Sequence, residues 1–379
     1  MKPEEAQPSS AEKGIQAALQ SAVPASRRLS GRKAGDKALE LSAAIGRRYA
    51  ALRKEVGKVI VGQDRVLEEI IIALAAGGHV LLEGVPGLAK TLLVSTLSRA
   101  LSLISGRIQF TPDLMPADVT GTQILGVERG AMERRFTFRK GPIFVNVLLA
   151  DEINRTPPKT QAALLEAMAE GQVTVGGAKH ALPQPFFVLA TQNPIEDEGT
   201  YNLPEAQLDR FLLKVIIDYP SAQEEKRIVQ KTTGVEEAAV TSVLDKDDIL
   251  ALQWVVRSLR PSSHVVEYAS RLARRSRPQE IEAPPWVRKL VAWGAGPRAG
   301  QALLLAAKAK TLLHGQFALT RTAVRDVAIP VLRHRIIPSF QAEAEGLTAD
   351  DLVCRLLLET PPFESKAARD ATARRILRL

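Results

Sequence analysis

Lys90 and Thr91 close the stretch Leu81-Leu82-Glu83-Gly84-Val85-Pro86-Gly87-Leu88-Ala89-Lys90-Thr91, and those two side chains in that setting can do phosphate chemistry. Gly84 and Gly87 permit backbone geometries closed to other residues. Such a loop turns successive backbone N–H groups towards a phosphate. A helix starting just after it adds the positive end of its dipole. Lys90 would reach the β- and γ-phosphates of a nucleotide, and the Thr91 hydroxyl would ligate Mg²⁺. The general pattern G-x-x-x-x-G-K-[ST] has a second Gly where Ala89 stands. On its own, the loop is therefore also compatible with an ordinary glycine turn before a helix.

Nucleotide hydrolysis needs more: a carboxylate for the metal shell, a base for water, a polar group near the γ-phosphate, and positive charge for the transition state. Asp151 follows the apolar run over 143–150, at the carboxyl end of a strand, where parallel sheets bind their ligands. It is the natural partner of Thr91 on Mg²⁺. Glu152 is the natural group to polarise the attacking water. Without the upstream loop, the pair would equally well solvate a strand end. Asn193 ends the next apolar run, where its amide would hold the water or a γ-phosphate oxygen. Asn-Pro is also a common turn start, so only the order of strands favours that role. Arg210 precedes the last strand, in Leu203-Pro204-Glu205-Ala206-Gln207-Leu208-Asp209-Arg210-Phe211. Arg298, in Gly294-Ala295-Gly296-Pro297-Arg298-Ala299-Gly300, opens a helix. A cation at a helix N-terminus is unfavourable with the dipole and calls for an anion from elsewhere.

The elements that must position these groups alternate. Apolar runs near 79–82, 143–150, 186–191 and 211–217 read as buried strands, with a short one at 108–110. Helical spacing falls between them, at 65–75, after Thr91 to Leu101, and at 160–170 before Gly171. This predicts an α/β fold with a parallel sheet covered on both faces. Beyond Pro220 only helices are expected, at 222–231, 246–258, 263–277, 286–292, 298–314, 321–335 and 350–358. The domain reading is a disordered arm over 1–35, a nucleotide-binding core with a leading helix over 36–220, and an all-helical lid over 221–379. The arm is rich in Pro, Ser, Ala, Lys and Glu and holds too little apolar surface to offset its chain entropy.

Composition narrows the rest. The chain has 379 residues, enough for two or three domains with real cores. A net charge of +9 permits an acidic partner without demanding one. The single cysteine, Cys354, excludes an intrachain disulfide and fits a reducing cytoplasm. No apolar run reaches the roughly 18 residues of a membrane span, and the N-terminus does not read as a secretory signal. The histidines and lone cysteine lack metal-ligand spacing. Arg271, Arg274, Arg275 and Arg277 allow a nucleic-acid reading. Without interleaved aromatics, however, such a run more often marks a solvated face or subunit contact.

Taken together, the motifs resemble one family, the MoxR group of AAA+ ATPases. The residues that carry the likeness are Ile60-Val61-Gly62-Gln63, the loop 84–91, Gln109-Phe110-Thr111-Pro112-Asp113-Leu114, Gly141-Pro142-Ile143-Phe144, Leu149-Ala150-Asp151-Glu152-Ile153-Asn154-Arg155, Ala190-Thr191-Gln192-Asn193-Pro194, Glu198-Gly199-Thr200-Tyr201, Leu203 to Phe211, and Gly294 to Ala299. They span about 54–340, in order. Ala89 agrees with this group's own loop, whereas Gly296 stands where the family usually has Ser.

The resemblance implies ATP and Mg²⁺ as cofactors. ATP would be held by Val61, Gly62 and Gln63 together with Gly84, Val85, Pro86, Gly87, Leu88, Ala89, Lys90 and Thr91. Asp151 and Thr91 would serve the metal, and Glu152 would complete the Walker B pair. Asn193 would be the first sensor and Arg298 the second. Arg210 would be the arginine finger given to a neighbouring subunit, with Arg155 a second interface cation. Extra hairpins would lie near 121–139 and 172–185. It further implies a ring, taken as a hexamer, that remodels or activates client proteins with a von Willebrand factor A domain partner. That partner is not in this chain, which has no Asp-x-Ser-x-Ser pattern. A nucleic-acid-dependent motor or loader is the alternative function.

Overall fold

The computed structural model describes residues 32–85, 87–127, 134–193, 200–234 and 238–361. The arm expected over 1–35 lies outside the described residues as far as residue 31. From Arg32 the chain is already helical, so helix α1 (Arg32–Gly57) starts before the expected Asp36. Arg, Lys and Ala at 32–34 are good helix formers, which accounts for the earlier start.

Helix α2 (Asp64–Ala76) ends on Gly77 in the left-handed conformation and leads into strand β1 (Val80–Glu83). Helix α3 (Lys90–Ala100), β2 (Ser105–Gln109) and the short α4 (Pro116–Thr120) follow. A hairpin of β3 (Gly121–Val127) and β4 (Arg134–Lys140) stands out before β5 (Val147–Asp151). Helix α5 (Pro158–Glu170) stops at Gly171, as the sequence predicts. A second hairpin, β6 (Gln172–Val175) and β7 (Ala178–Ala181), precedes β8 (Phe187–Gln192), the one-turn α6 (Glu205–Leu208) and β9 (Leu213–Ile216).

The five core strands form one parallel sheet in the order β2-β5-β8-β1-β9. Their apolar runs alternate between two faces. Val80, Leu82, Val147, Leu149, Phe187 and Leu189 join a cluster with α2, α3 and the C-terminal helices. Leu81, Leu148, Ala150, Val188 and Ala190 pack with Leu164, Leu165 and Met168 of α5. His79 ties the two layers together. Its Nδ1 accepts from the Val188 N–H and its Nε2 donates to the Met168 carbonyl, each at 3.1 Å. Burial pushes its pKa down to about 4, so the ring is neutral.

The C-terminal part contains α7 (Ala222–Thr232), α8 (Lys246–Ser258), α9 (Ser263–Arg275), α10 (Val287–Leu290), α11 (Pro297–Leu313), α12 (Arg321–Asp326), α13 (Ala328–Leu332), α14 (Phe340–Ala344) and α15 (Ala349–Glu359). Several details differ from expectation, among them the short α14, which no expected helix covers. A small antiparallel ribbon, β10 (Val291–Trp293) with β11 (Ile337–Pro338), interrupts the helices. The single helix expected over 321–335 is broken at Val327. Pro330 explains the break, because its ring clashes with the carbonyl four residues earlier, that of Asp326. Helix α11 is rich in buried alanine (Ala299, Ala302, Ala306, Ala307, Ala309) and packs closely on α2. The C-terminal helices and the sheet thus share one continuous apolar cluster.

Candidate nucleotide site

Strand β1 lies between β8 and β9, and the sheet continues past β8 through β5 to β2 at its edge. The carboxyl ends of these strands meet at one rim, and the loop after β1 opens there. In that loop Gly87 (φ 85°) and Ala89 (φ 56°) are both left-handed, an unusual conformation for alanine. A side chain at Gly84 would lie 2.7 Å from the Ile217 carbonyl, so the strand-to-loop passage needs glycine there. Lys90 turns back across the loop, and its Nζ donates to the Gly84 carbonyl at 2.5 Å. Burial lowers its pKa, and the nearby Asp151 and Glu152 carboxylates push it back up. Thr91, in the first turn of α3, is exposed. Pro86 lies outside the described residues.

Val61, Gly62 and Gln63 fall beside this loop. The Gln63 amide donates to the Leu88 carbonyl at 3.2 Å. Gly62 has φ 77°, and a Cβ there would press into the Glu224 carboxyl of α7. These three residues line a cleft of about 380 Å³ shared with Arg227 and Lys231 of α7. The core and the C-terminal helices thus meet at the edge of the loop.

The carboxylates sit in a connected polar array. In the sheet register Gln109 of β2 faces Asp151 of β5. Arg107 forks onto Asp151 Oδ2 at 2.7 and 3.1 Å and reaches the Gln109 amide oxygen at 2.7 Å. The Gln109 amide nitrogen donates to Glu152 Oε2 at 2.7 Å. Arg155 pairs with the same carboxylate at 3.2 Å. The fully buried Thr191 hydroxyl donates to Asp151 Oδ1 at 2.6 Å and accepts the Glu152 N–H at 2.8 Å. That last bond holds Glu152 in a left-handed conformation (φ 57°, ψ 49°), which costs on the order of 1–3 kcal/mol for a side-chain-bearing residue. Asn193 is buried just past the end of β8, and the following residues 194–199 lie outside the described ones.

Thr91 and Asp151 supply hard oxygen donors of the kind Mg²⁺ takes while keeping most of its water. The donor set therefore fits the metal. Arg107 already shares Asp151 Oδ2, so a cation there would compete with a guanidinium.

Arg210 and Arg298 stand apart from this array. The exposed Arg210 follows α6 and donates to the Leu165 carbonyl at 2.8 Å. Arg298, in the first turn of α11, lies 4.0 Å from Asp209. The carboxylate of Asp209 is the anion that a cation at a helix N-terminus calls for. The turn carrying Arg298 is braced by Arg277, which donates to the Ala295 carbonyl at 2.8 Å. It is also braced by Ser276 Oγ, which accepts the Ala295 N–H at 2.9 Å. The other arginines of the basic run are held within the chain as well. Arg274 pairs with Glu282, while Arg271 and Arg275 reach the carbonyls of Pro361 and Glu359.

A strand–loop–helix with an acidic pair at the carboxyl end of β5, in the same parallel sheet, defines a P-loop nucleotide-binding fold. Comparison with known proteins makes this specific. Residues 79–213 match the ATPase family associated with various cellular activities (AAA), and residues 286–356 match the AAA lid domain. The chain is 43% identical over 303 residues to Chaperone MoxR1 of Mycobacterium tuberculosis, covering 80% of this chain and 79% of that one. It is 31% identical over 333 residues to Protein MoxR of Methylorubrum extorquens, covering 83% and 94%. A crystal structure from Cytophaga hutchinsonii, provisionally named an ATPase, superposes with a TM-score of 0.78. It is 39% identical and covers 85% of this chain and 96% of that one. The chain belongs to the MoxR family of AAA+ ATPases.

Sequence reasoning passed over Arg107, Gln109 and Thr191. Gln109 and Thr191 stood inside the motifs that carry the family likeness, but no role was drawn for either. Only Thr191 carried a signal, as a polar residue near the carboxyl end of an apolar strand; Arg107 and Gln109 carried none, because the residues do not say that β2 pairs with β5.

Proposed function

We propose that this chain binds ATP with Mg²⁺ and hydrolyses it at the interfaces of a ring, and that it acts on protein clients in a chaperone-like way. The convergence of the 84–91 loop, Asp151, Glu152 and Asn193 on one sheet rim, with Arg210 exposed elsewhere, carries this reading. Backbone N–H groups of the loop and Lys90 would hold the phosphates, with Val61, Gly62 and Gln63 beside the base. Thr91 and Asp151 would hold Mg²⁺, which neutralises phosphate charge when bound. Glu152 would take the proton of the attacking water, which Asn193 would help to place. Arg298 would sense the nucleotide from the lid, and Arg155 would serve as a second cation at the interface. Arg210 would stabilise transition-state charge in the neighbouring subunit's site.

The domain division at about residue 220 separates the nucleotide core from the lid in this scheme. On this reading the ring is a hexamer in a cytoplasmic setting, and a von Willebrand factor A domain partner couples it to its client. Among the described residues no helix is long and apolar enough to cross a membrane. The bonds that Arg271, Arg274, Arg275 and Arg277 make within the chain favour the protein-client reading over the nucleic-acid one.

Lys90→Ala tests the site. Losing charge-assisted contacts to the phosphates is expected to weaken ATP binding by about one to two orders of magnitude. Equilibrium titration with ATP in the presence of Mg²⁺ reads this directly. Unchanged affinity would remove Lys90 from the site.

A further inference from the structure

The segment Arg333-His334-Arg335, between α13 and β11, is charged yet buried. All three side chains grip one stretch of the core, from Asp209 to Lys214. Arg335 Nε donates to Asp209 Oδ1 at 2.7 Å. Its two terminal nitrogens donate to the carbonyls of Phe211 at 2.7 Å and Leu212 at 3.2 Å, and one reaches the Asp209 carbonyl at 3.4 Å. His334 Nε2 donates to the Phe211 carbonyl at 3.2 Å, which fixes the neutral tautomer. Arg333 donates to the Lys214 carbonyl at 3.2 Å and is held in a fork by Asp350.

A buried guanidinium is costly unless its donors are satisfied, and this one is satisfied by the backbone on either side of Arg210. The Arg335 side chain is only 3% exposed. Its neighbour Arg210 in turn reaches the Leu165 carbonyl of α5. The loop that presents Arg210 is therefore held from the lid through Arg335 and from the core through α5. Asp209 offers its second oxygen to Arg298, the exposed lid arginine, at 4.0 Å. One carboxylate thus receives two lid arginines, one buried and one exposed.

We infer that Arg335 is a positioning residue for Arg210, which it aims at the neighbouring subunit through Asp209 and the Phe211 and Leu212 carbonyls. The inference rests on the reading of Arg210 as a group given in trans. Lys cannot reproduce the fork, so Arg335→Lys frees the loop while keeping the charge. Misplacement by about 1 Å costs roughly 10²-fold in rate.

The test is steady-state phosphate release at saturating ATP, with KM for ATP measured alongside. Arg335→Lys alone should lose about 10²-fold in turnover with KM unchanged, because its own phosphate loop is intact. It is then mixed with Glu152→Gln, whose own site is disabled but whose Arg210 is held normally. Turnover per Arg335→Lys chain should recover several-fold in the mixture, because some of its sites now meet a well-placed finger. Arg210→Ala mixed with Glu152→Gln is the reference. Recovery in both mixtures supports the inference. Recovery with Arg210→Ala alone overturns it and leaves the trans reading of Arg210 standing. Recovery in neither overturns the trans reading, and the inference with it. If Arg335→Lys loses its cooperative thermal unfolding, Asp209→Asn carries the same test: it keeps the carbonyl contacts and removes the counter-ion shared by Arg335 and Arg298, and Arg298→Ala mixed with Glu152→Gln in the same way separates the two.

Discussion

Arg210→Ala is expected to bind ATP as tightly as the unaltered chain and to lose turnover by about 10³-fold or more. The two effects separate because Arg210 lies outside the polar array around Asp151 and Glu152. Its guanidinium donates to the Leu165 carbonyl, on the segment that follows α6. Truncating it removes no contact from Lys90, Thr91 or Asp151 in its own chain. What would be lost, on the proposed reading, is a planar, permanently charged group placed to meet the charge developing on the transferred phosphoryl. Arg210→Lys should fall between the two, because an ammonium supplies charge without the fork. Equilibrium binding of ATP and phosphate release on the same preparation read the two halves. Full turnover in Arg210→Ala would end the finger assignment.

Glu152→Gln is expected to bind ATP and to hydrolyse it about 10²- to 10⁴-fold more slowly. The change is nearly isosteric, so the packing of the array is preserved. The amide oxygen of the new side chain can still accept from Gln109, whose nitrogen lies 2.7 Å from the carboxylate. The Glu152 N–H bond to the Thr191 hydroxyl, 2.8 Å, is untouched, and so is the left-handed backbone it supports. What would disappear is the capacity to take a proton from water, together with the charge that pairs with Arg155. ATP should therefore accumulate in an assembled ring, visible as a fast-sedimenting species that persists until ATP is removed. Ready hydrolysis would take Glu152 out of its role.

Much of this arrangement could be read from residues alone. The strands around 80–83, 147–151, 187–192 and 213–216 announce themselves because both faces of a parallel sheet are covered, which demands unbroken apolar runs. Gly171 marks the end of α5 because only a left-handed residue closes the helix there. Long-range juxtapositions were harder to see. Arg107 and Gln109 reach the carboxylates only because β2 lies next to β5, with Gln109 in register with Asp151. No local pattern in the chain encodes that neighbour. Arg335 is a further case: it is buried against carbonyls from 209–212, over a hundred residues earlier, a contact that nothing in the spacing around it announces. The β10–β11 ribbon is short enough that its residues carry no alternation to detect.

Each site is proposed to be completed by a neighbouring subunit. This is tested most directly by ATP turnover per chain measured across a wide range of chain concentrations, with and without single-stranded DNA. Turnover per chain should be near zero when the chain is dilute, climb to a plateau as rings form, and not respond to DNA. Turnover per chain that is the same at every concentration, or that appears only with DNA, would contradict that proposal.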